Sequence, residues 1–140
     1  MTYLRRNSSL CEVANVEENV MLVQKLERAQ CVQECGILCQ PLTLTDPSIG
    51  APFKSMWCVI EPGSSSDPDQ HGQAEMVVIV AGEAVVTTDD AEVEASPGTV
   101  VHLPPGARHV VRNPRSDRPL VLLSVYWFID QRSSVVTGGD

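Results

Sequence analysis

Residues 63–82, GSSSDPDQHGQAEMVVIVAG, place three donor side chains, Asp69, His71 and Glu75, at odd positions leading into an apolar run. An extended strand points alternate side chains to the same face, so all three are expected to converge on one side. Residues 98–113, GTVVHLPPGARHVVRN, add His109, which joins them if the intervening loop folds the second segment back against the first. Imidazole mixed with carboxylate suits Fe(II), Mn(II), Ni(II) or Zn(II), and no thiolate of the kind that builds structural zinc sites stands among these donors. Asp69, His71, Glu75 and His109 are the expected metal ligands. Asp69 and Glu75 are also the candidate catalytic groups, since a carboxylate beside a metal can hold or move a proton.

Outward from these two segments the chain reads as short β-rich runs. GILCQPLTL, FKSMWCVIE, AEMVVIVAG, EAVVTTD, TVVHLP, HVVRN and PLVLLSVYWFI are the expected strands. Turn signals separate them at Pro62-Gly63, Asp89-Asp90, Pro97-Gly98, Pro104-Pro105-Gly106 and Asn113-Pro114. Strands at such short intervals predict an all-β, antiparallel sandwich or barrel, and the lack of helical crossovers argues against a parallel α/β sheet. Gly82 and Gly98 fall at turns where positive φ is expected, while the Pro104–Gly106 bend aims His109 inward. Asn113 is expected to end a strand and bond its side chain to backbone.

The spacing runs Gly63, five residues, Asp69, one residue, His71, three residues, Glu75, six residues, Gly82. The second segment runs Gly98, five residues, Pro104, one residue, Gly106, two residues, His109, three residues, Asn113. These resemble the two motifs of the cupin superfamily at every position but one, because Asp69 stands where the family's first histidine usually is. The resemblance covers about residues 53–128. It implies a small single-domain cupin, a jelly-roll β-barrel with a metal near its centre. By position it carries His71, Glu75 and His109 over as ligands. Asp69 is either a fourth ligand, a group behind the ligands or a general base.

The resemblance also implies what such a protein does. A metal-dependent enzyme acting on a small molecule in specialised, natural-product metabolism is the leading expectation. Ferrous iron would favour dioxygenase chemistry, and zinc or manganese would favour Lewis-acid isomerisation, elimination or condensation. A zinc cupin in nitrogen–nitrogen bond formation and a non-catalytic metal-binding sensor or partner domain are the alternatives. Beside the metal, Trp57, Gln73 and Trp127 are the candidate substrate-pocket residues. His102 is read as packing, and Arg112, Arg115 and Arg118 as a solvated turn with one arginine free to meet a substrate carboxylate.

With 140 residues the chain has the size of one domain. Residues 1–45 are read as an N-terminal extension, 46–130 as the barrel and 131–140 as a flexible tail. Within the extension, residues 15–34 are expected to form a helix, capped by Asn15 and Glu18 with Val16, Val20, Val23 and Leu26 as its apolar stripe. A strand over NVMLVQKL is the competing reading, and either could build a homodimer. The net charge of -8 and pI of about 4.7 argue against nucleic-acid and anionic-membrane partners and leave neutral or cationic small molecules open. No apolar run reaches the length of a membrane span or secretory signal, so a cytoplasmic protein with its five cysteines mostly reduced is expected. Cys31, Cys35 and Cys39 recur every four residues, but Gly36 interrupts any helix that would gather them into a soft-metal site.

Overall fold

The computed structural model describes residues 4–6, 11–13 and 21–129. The chain order of strands is β1 (Leu4–Arg6), β2 (Cys11–Val13), β3 (Val32–Glu34), β4 (Ile37–Pro41), β5 (Lys54–Ile60), β6 (Ala74–Ala81), β7 (Ala84–Thr88), β8 (Glu92–Ala95), β9 (Val100–Leu103), β10 (His109–Arg112) and β11 (Leu120–Trp127). All seven expected strands form within their quoted runs. Every pairing between them is antiparallel.

The strands make a six-stranded sheet in the order β3-β4-β5-β11-β6-β9 and a three-stranded sheet in the order β10-β7-β8, while β1 and β2 pair with each other. The two larger sheets close over one core. Cys39, Cys58, Ile60, Val77, Ile79, Leu103, Leu120 and Leu122 come from the first sheet, and Ala84, Val86, Ala95 and Val111 from the second. Alternation along β11 shows how the sequence makes this face: Leu120, Leu122 and Ser124 are buried while the residues between them are partly exposed. Each apolar side chain taken fully from water in this way contributes about 1.5–3 kcal/mol.

Gly82 carries the chain from β6 in one sheet to β7 in the other. Its φ is +84°, and a Cβ there would lie 2.5 Å from the Pro119 carbonyl oxygen. Backbone of the β10–β11 connection therefore packs directly on this turn, and only glycine satisfies both the angle and the space. The β10–β11 connection is itself held by Asn113, which is 1% exposed. Its Nδ2 donates to the carbonyls of Ile60 and Arg118, and its Oδ1 accepts from the Arg115 N–H. Outside, Arg115 pairs with Asp117 and Glu83, and the guanidinium holds the exposed Asp117 carboxyl down at about 2.

The expected helix over 15–34 is corrected by the structure. Residues 15–20, with both capping residues, lie outside the described residues, as do Asp130 and the tail 131–140. Residues 21–27 have no regular structure, a single 3₁₀ turn spans Arg28–Gln30, and β3 follows. Side chains compete for this backbone. The buried Gln40 accepts from the Glu27 N–H and donates to the Lys25 carbonyl, and Gln24 reaches Pro41 and Thr43. Cys35 and Gly36, with φ of +50° and +78°, then form the two-residue turn that joins β3 to β4. These tertiary partners outweigh the helical propensity of the segment.

Two stability measurements check this account. In denaturant unfolding, Gly82→Ala should cost about 3 kcal/mol or more, whereas Gly98→Ala, also at positive φ but facing open space, should cost about 1–2 kcal/mol. Equal losses would mean that strain, and not close approach, makes Gly82 necessary. Asn113→Asp replaces two donated hydrogen bonds by a carboxylate facing two carbonyls, and it should cost about 2–4 kcal/mol. A loss below about 0.5 kcal/mol would show that the side chain does not anchor the connection.

Candidate metal centre

Two strands and one loop supply the expected donors. Glu75 lies near the start of β6 on the face that also presents Val77 and Ile79 to the core, and His109 opens β10. Asp69 and His71 lie in the loop before β6, and that loop is stitched to β10. Asp69 and His109 exchange backbone hydrogen bonds of 3.0 and 2.9 Å, Gly106 N–H donates to the His71 carbonyl at 2.8 Å, and Gln70 Nε2 donates to the Gly106 carbonyl at 2.8 Å. The second segment thus folds back on the first, as the sequence required. The route differs from the one expected. Asp69, His71 and Glu75 are not on one continuous strand, because residues 70–73 bend and β6 begins only at Ala74.

One donor atom each from Asp69, His71 and His109 lies within 4.8 Å of the other two. Glu75 joins them, with Oε1 at 3.0 Å from His71 Nε2 and 3.5 Å from His109 Nε2. Asp69 Oδ2 is 3.9 Å from His71 Nε2, and its Oδ1 accepts the Gln70 N–H. An ion with bonds of about 2.0–2.2 Å separates adjacent donors by roughly 3.0–3.6 Å; the two Glu75–imidazole distances fall in that range, and Asp69 Oδ2 at 3.9 Å lies just outside it.

The imidazole tautomers strengthen that fit. His71 Nδ1 is 3.0 Å from the Gln73 carbonyl and His109 Nδ1 is 2.9 Å from the Ala107 carbonyl. A carbonyl carries no proton, so each Nδ1 donates, and in the neutral ring each Nε2 then carries a lone pair. Both lone pairs meet Glu75 Oε1, which is also an acceptor. Acceptors facing acceptors in a partly buried pocket repel unless a cation, either a metal ion or an added proton, lies between them. Glu75 is turned toward the imidazoles by Ser124, whose hydroxyl donates to Oε2 at 2.7 Å. Two carboxylates and two neutral imidazoles balance the charge of a divalent ion.

These donors line a cavity of about 340 Å³ together with Glu34, Asp67, Gln73, Cys39, Cys58 and Tyr126. Burial first, then the negative charge of Glu34 and Glu75, pushes the Tyr126 phenol up. Gln73 borders the cavity as expected, but Trp57 and Trp127 do not. Strand alternation explains both departures: Met56 and Cys58 of β5, and Ser124 and Tyr126 of β11, take the cavity face. Trp127 lines a separate hollow with Phe53 and Phe128, and His102 tilts against it at 6.3 Å on the outer side. Arg112, Arg115 and Arg118 all lie away from the cavity. Ser124 and Tyr126 were missed in the sequence, although their parity with Leu120 and Leu122 in LVLLSVYW marks the same inward face.

Comparison with known proteins follows this geometry. The family model described as Cupin domain matches residues 56–126. A cupin 2 conserved barrel domain protein from Salinispora arenicola is 34% identical, with a TM-score of 0.71 over 85% of this chain and 98% of that one. A protein from Photorhabdus luminescens shares the fold at 20% identity and a TM-score of 0.68, over 81% of this chain and 92% of that one. A predicted oxalate decarboxylase from Thermotoga maritima does so at 23% identity and 0.59, over 66% and 81%. No curated protein sequence matches the chain. Two motifs in register, antiparallel sheets closed over one core and a match to at least half the residues lead to one assignment: the chain belongs to the cupin family.

Proposed function

We propose that this cupin is a metal-dependent enzyme acting on a small neutral or cationic molecule, with a divalent ion held by His71, Glu75, His109 and Asp69. The observation that carries the reading is the pair of imidazoles whose Nδ1 atoms face carbonyls and whose Nε2 atoms converge on one carboxylate oxygen. When bound, the ion supplies Lewis acidity or, as Fe(II), reactivity toward dioxygen.

The chain's own groups divide the remaining work. His109 and Glu75 are nearly buried and held by second partners, so they are the fixed donors. Asp69, with 42% of its side chain exposed, is the outermost donor and borders the open side of the cavity. Gln73 and Tyr126 offer neutral hydrogen bonds for orientation.

The lining supports a neutral or cationic substrate. Glu34, Asp67, Asp69 and Glu75 face the cavity, and among the described residues no lysine or arginine does. An ion bound by Asp69 and Glu75 neutralises those two and leaves Glu34 and Asp67 uncompensated. A dianion such as oxalate would meet no ammonium or guanidinium here, so the activity named for the Thermotoga maritima protein is not carried across. A volume of about 340 Å³ lies at the small end of ligand sites.

Elemental analysis of anaerobically purified protein, or of protein reconstituted with Fe(II), Mn(II), Ni(II) or Zn(II), should find about one ion per chain. His71→Ala and His109→Ala should each reduce occupancy at least tenfold. Wild-type protein that retains none of these ions would refute the reading. Dioxygen consumption by the iron form with amine-bearing or neutral candidate substrates then separates oxygenase from Lewis-acid chemistry. Ser124→Ala should keep the fold by circular dichroism yet weaken metal affinity about 10–100-fold, because Glu75 loses the hydroxyl that orients it. Unchanged affinity would show that Glu75 needs no such support.

A further inference from the structure

We propose that Cys39 and Cys58 form a reversible disulfide within the wall of the cavity, a site of oxidation by hydrogen peroxide. The register places them directly opposite each other on β4 and β5, and both line the same cavity as the four donors. They are 1% and 2% exposed to bulk solvent, so the cavity is their route to small reagents.

The ladder shows that the pair is spaced for a bond. In this register Leu42 falls opposite Ser55, and its N–H donates to the Ser55 carbonyl at 2.9 Å. Hydrogen-bonded and non-hydrogen-bonded pairs alternate along an antiparallel ladder, so Gln40 and Trp57 are the next hydrogen-bonded pair. Pro41 opposite Met56, and Cys39 opposite Cys58, are then non-hydrogen-bonded pairs. Pro41 agrees, because it has no N–H to give. Non-hydrogen-bonded pairs bring Cα atoms to about 4.5 Å with side chains close together, inside the range of about 4.4–6.8 Å that a disulfide spans.

The chemistry of the two thiols is unequal. The hydrogen bond from Cys58 draws the Cys39 thiol below its ordinary value, while the same contact and burial push Cys58 up. At the exposed turn, Cys35 is pushed up by burial and by the charges of Asp69 and Glu34. Cys39 is therefore the thiolate that reacts first. Its sulfur attacks one oxygen of hydrogen peroxide, the O–O bond breaks, and the departing hydroxide takes a proton to leave as water. The Cys58 sulfur attacks the resulting sulfenic acid, the S–O bond breaks, and the hydroxyl leaves as water with the Cys58 proton. Two thiols lose two electrons and two protons in all, and one peroxide becomes two waters.

The bond would reach the candidate metal centre through backbone. It ties β4 to β5, and the hairpin turn at the head of β4 holds the loop that bears Asp69, since the Cys35 carbonyl accepts the Asp67 N–H at 2.7 Å. The proposal does not depend on whether a metal is bound.

The test is peptide mapping of the wild-type chain after titration with hydrogen peroxide, with alkylation of remaining thiols under denaturing conditions. The expected product is a Cys39–Cys58 cross-linked peptide, lighter by two hydrogen atoms, that appears before Cys31 or Cys35 is modified and is removed by dithiothreitol. Cys58→Ala should abolish it and leave Cys39 open to over-oxidation to sulfinic acid. Because mapping uses wild-type protein, a poorly folding variant does not weaken the result. Cys39 and Cys58 both fully alkylated at peroxide levels that already modify Cys35, or a cross-link that joins another pair, would overturn the proposal.

Discussion

The reciprocal pair of backbone hydrogen bonds between Asp69 and His109 is the constraint on which the rest of the site depends. It is a single bridge outside the regular ladders, and it fixes a loop residue against the first residue of β10. Two such bonds contribute about 1–3 kcal/mol together, which would not hold a loop alone. The chain adds the Gly106–His71 bond, the Gln70–Gly106 bond and the Ser66 and Ser64 contacts to Val111 and Asn113. Donors from separate segments are thereby set by backbone, before any metal draws them together. Such preorganisation lowers the ordering cost that ligand side chains would otherwise meet on binding.

One strand shows how fold and site share the same interior. The inward residues of β11 run Leu120, Leu122, Ser124, Tyr126. The first two meet Ile60 and Cys58 across β5 in the closed, apolar end of the barrel. The last two lie opposite Val77 and Glu75 of β6 in the polar half. Polarity thus rises along the barrel axis. Each buried polar group in this gradient has a partner, as burial without one costs about 1–3 kcal/mol: Ser124 with Glu75, Asn113 with Ile60 and Arg118, Gln40 with the backbone of residues 25 and 27. The two Nε2 atoms differ, since both converge on one oxygen of Glu75.

Much of this was legible in the sequence, for identifiable reasons. Apolar runs bounded by turn residues, such as AEMVVIVA and LVLLSVYW, can be read as strands from composition, and the second buries alternate residues over its first half. The strand Glu92–Ala95 was not legible, because it is short, two of its four residues are glutamates and three are exposed, so its alternation carries little apolar surface. The stretch before β3 was read as helix because its residues favour one, and the competing bonds come from Gln40 and from turn geometry at Cys35 and Gly36, which no local pattern reveals. Trp57 and Trp127 were drawn to the pocket by size, whereas their parity with the outward residues of β5 and β11 points the other way. The four residues picked out by spacing do come together in the fold, although the strand assumed to align them is interrupted at residues 70–73.

Asp69 shows what spacing cannot carry. A carboxylate in place of imidazole shortens the side chain by a ring, and its nearest oxygen stands 3.9 Å from His71 Nε2 where Glu75 stands at 3.0 Å. Its exposure exceeds that of the other three donors, so water competes for it more strongly and its hold on a cation is weaker. The two carboxylates are therefore unequal partners. Glu75, shielded and bonded to Ser124, stays in one orientation, while Asp69 keeps its backbone fixed by the His109 bridge and its carboxylate at the boundary between cavity and solvent. The main chain is thus fixed beneath an acid that stays open to both cavity and solvent.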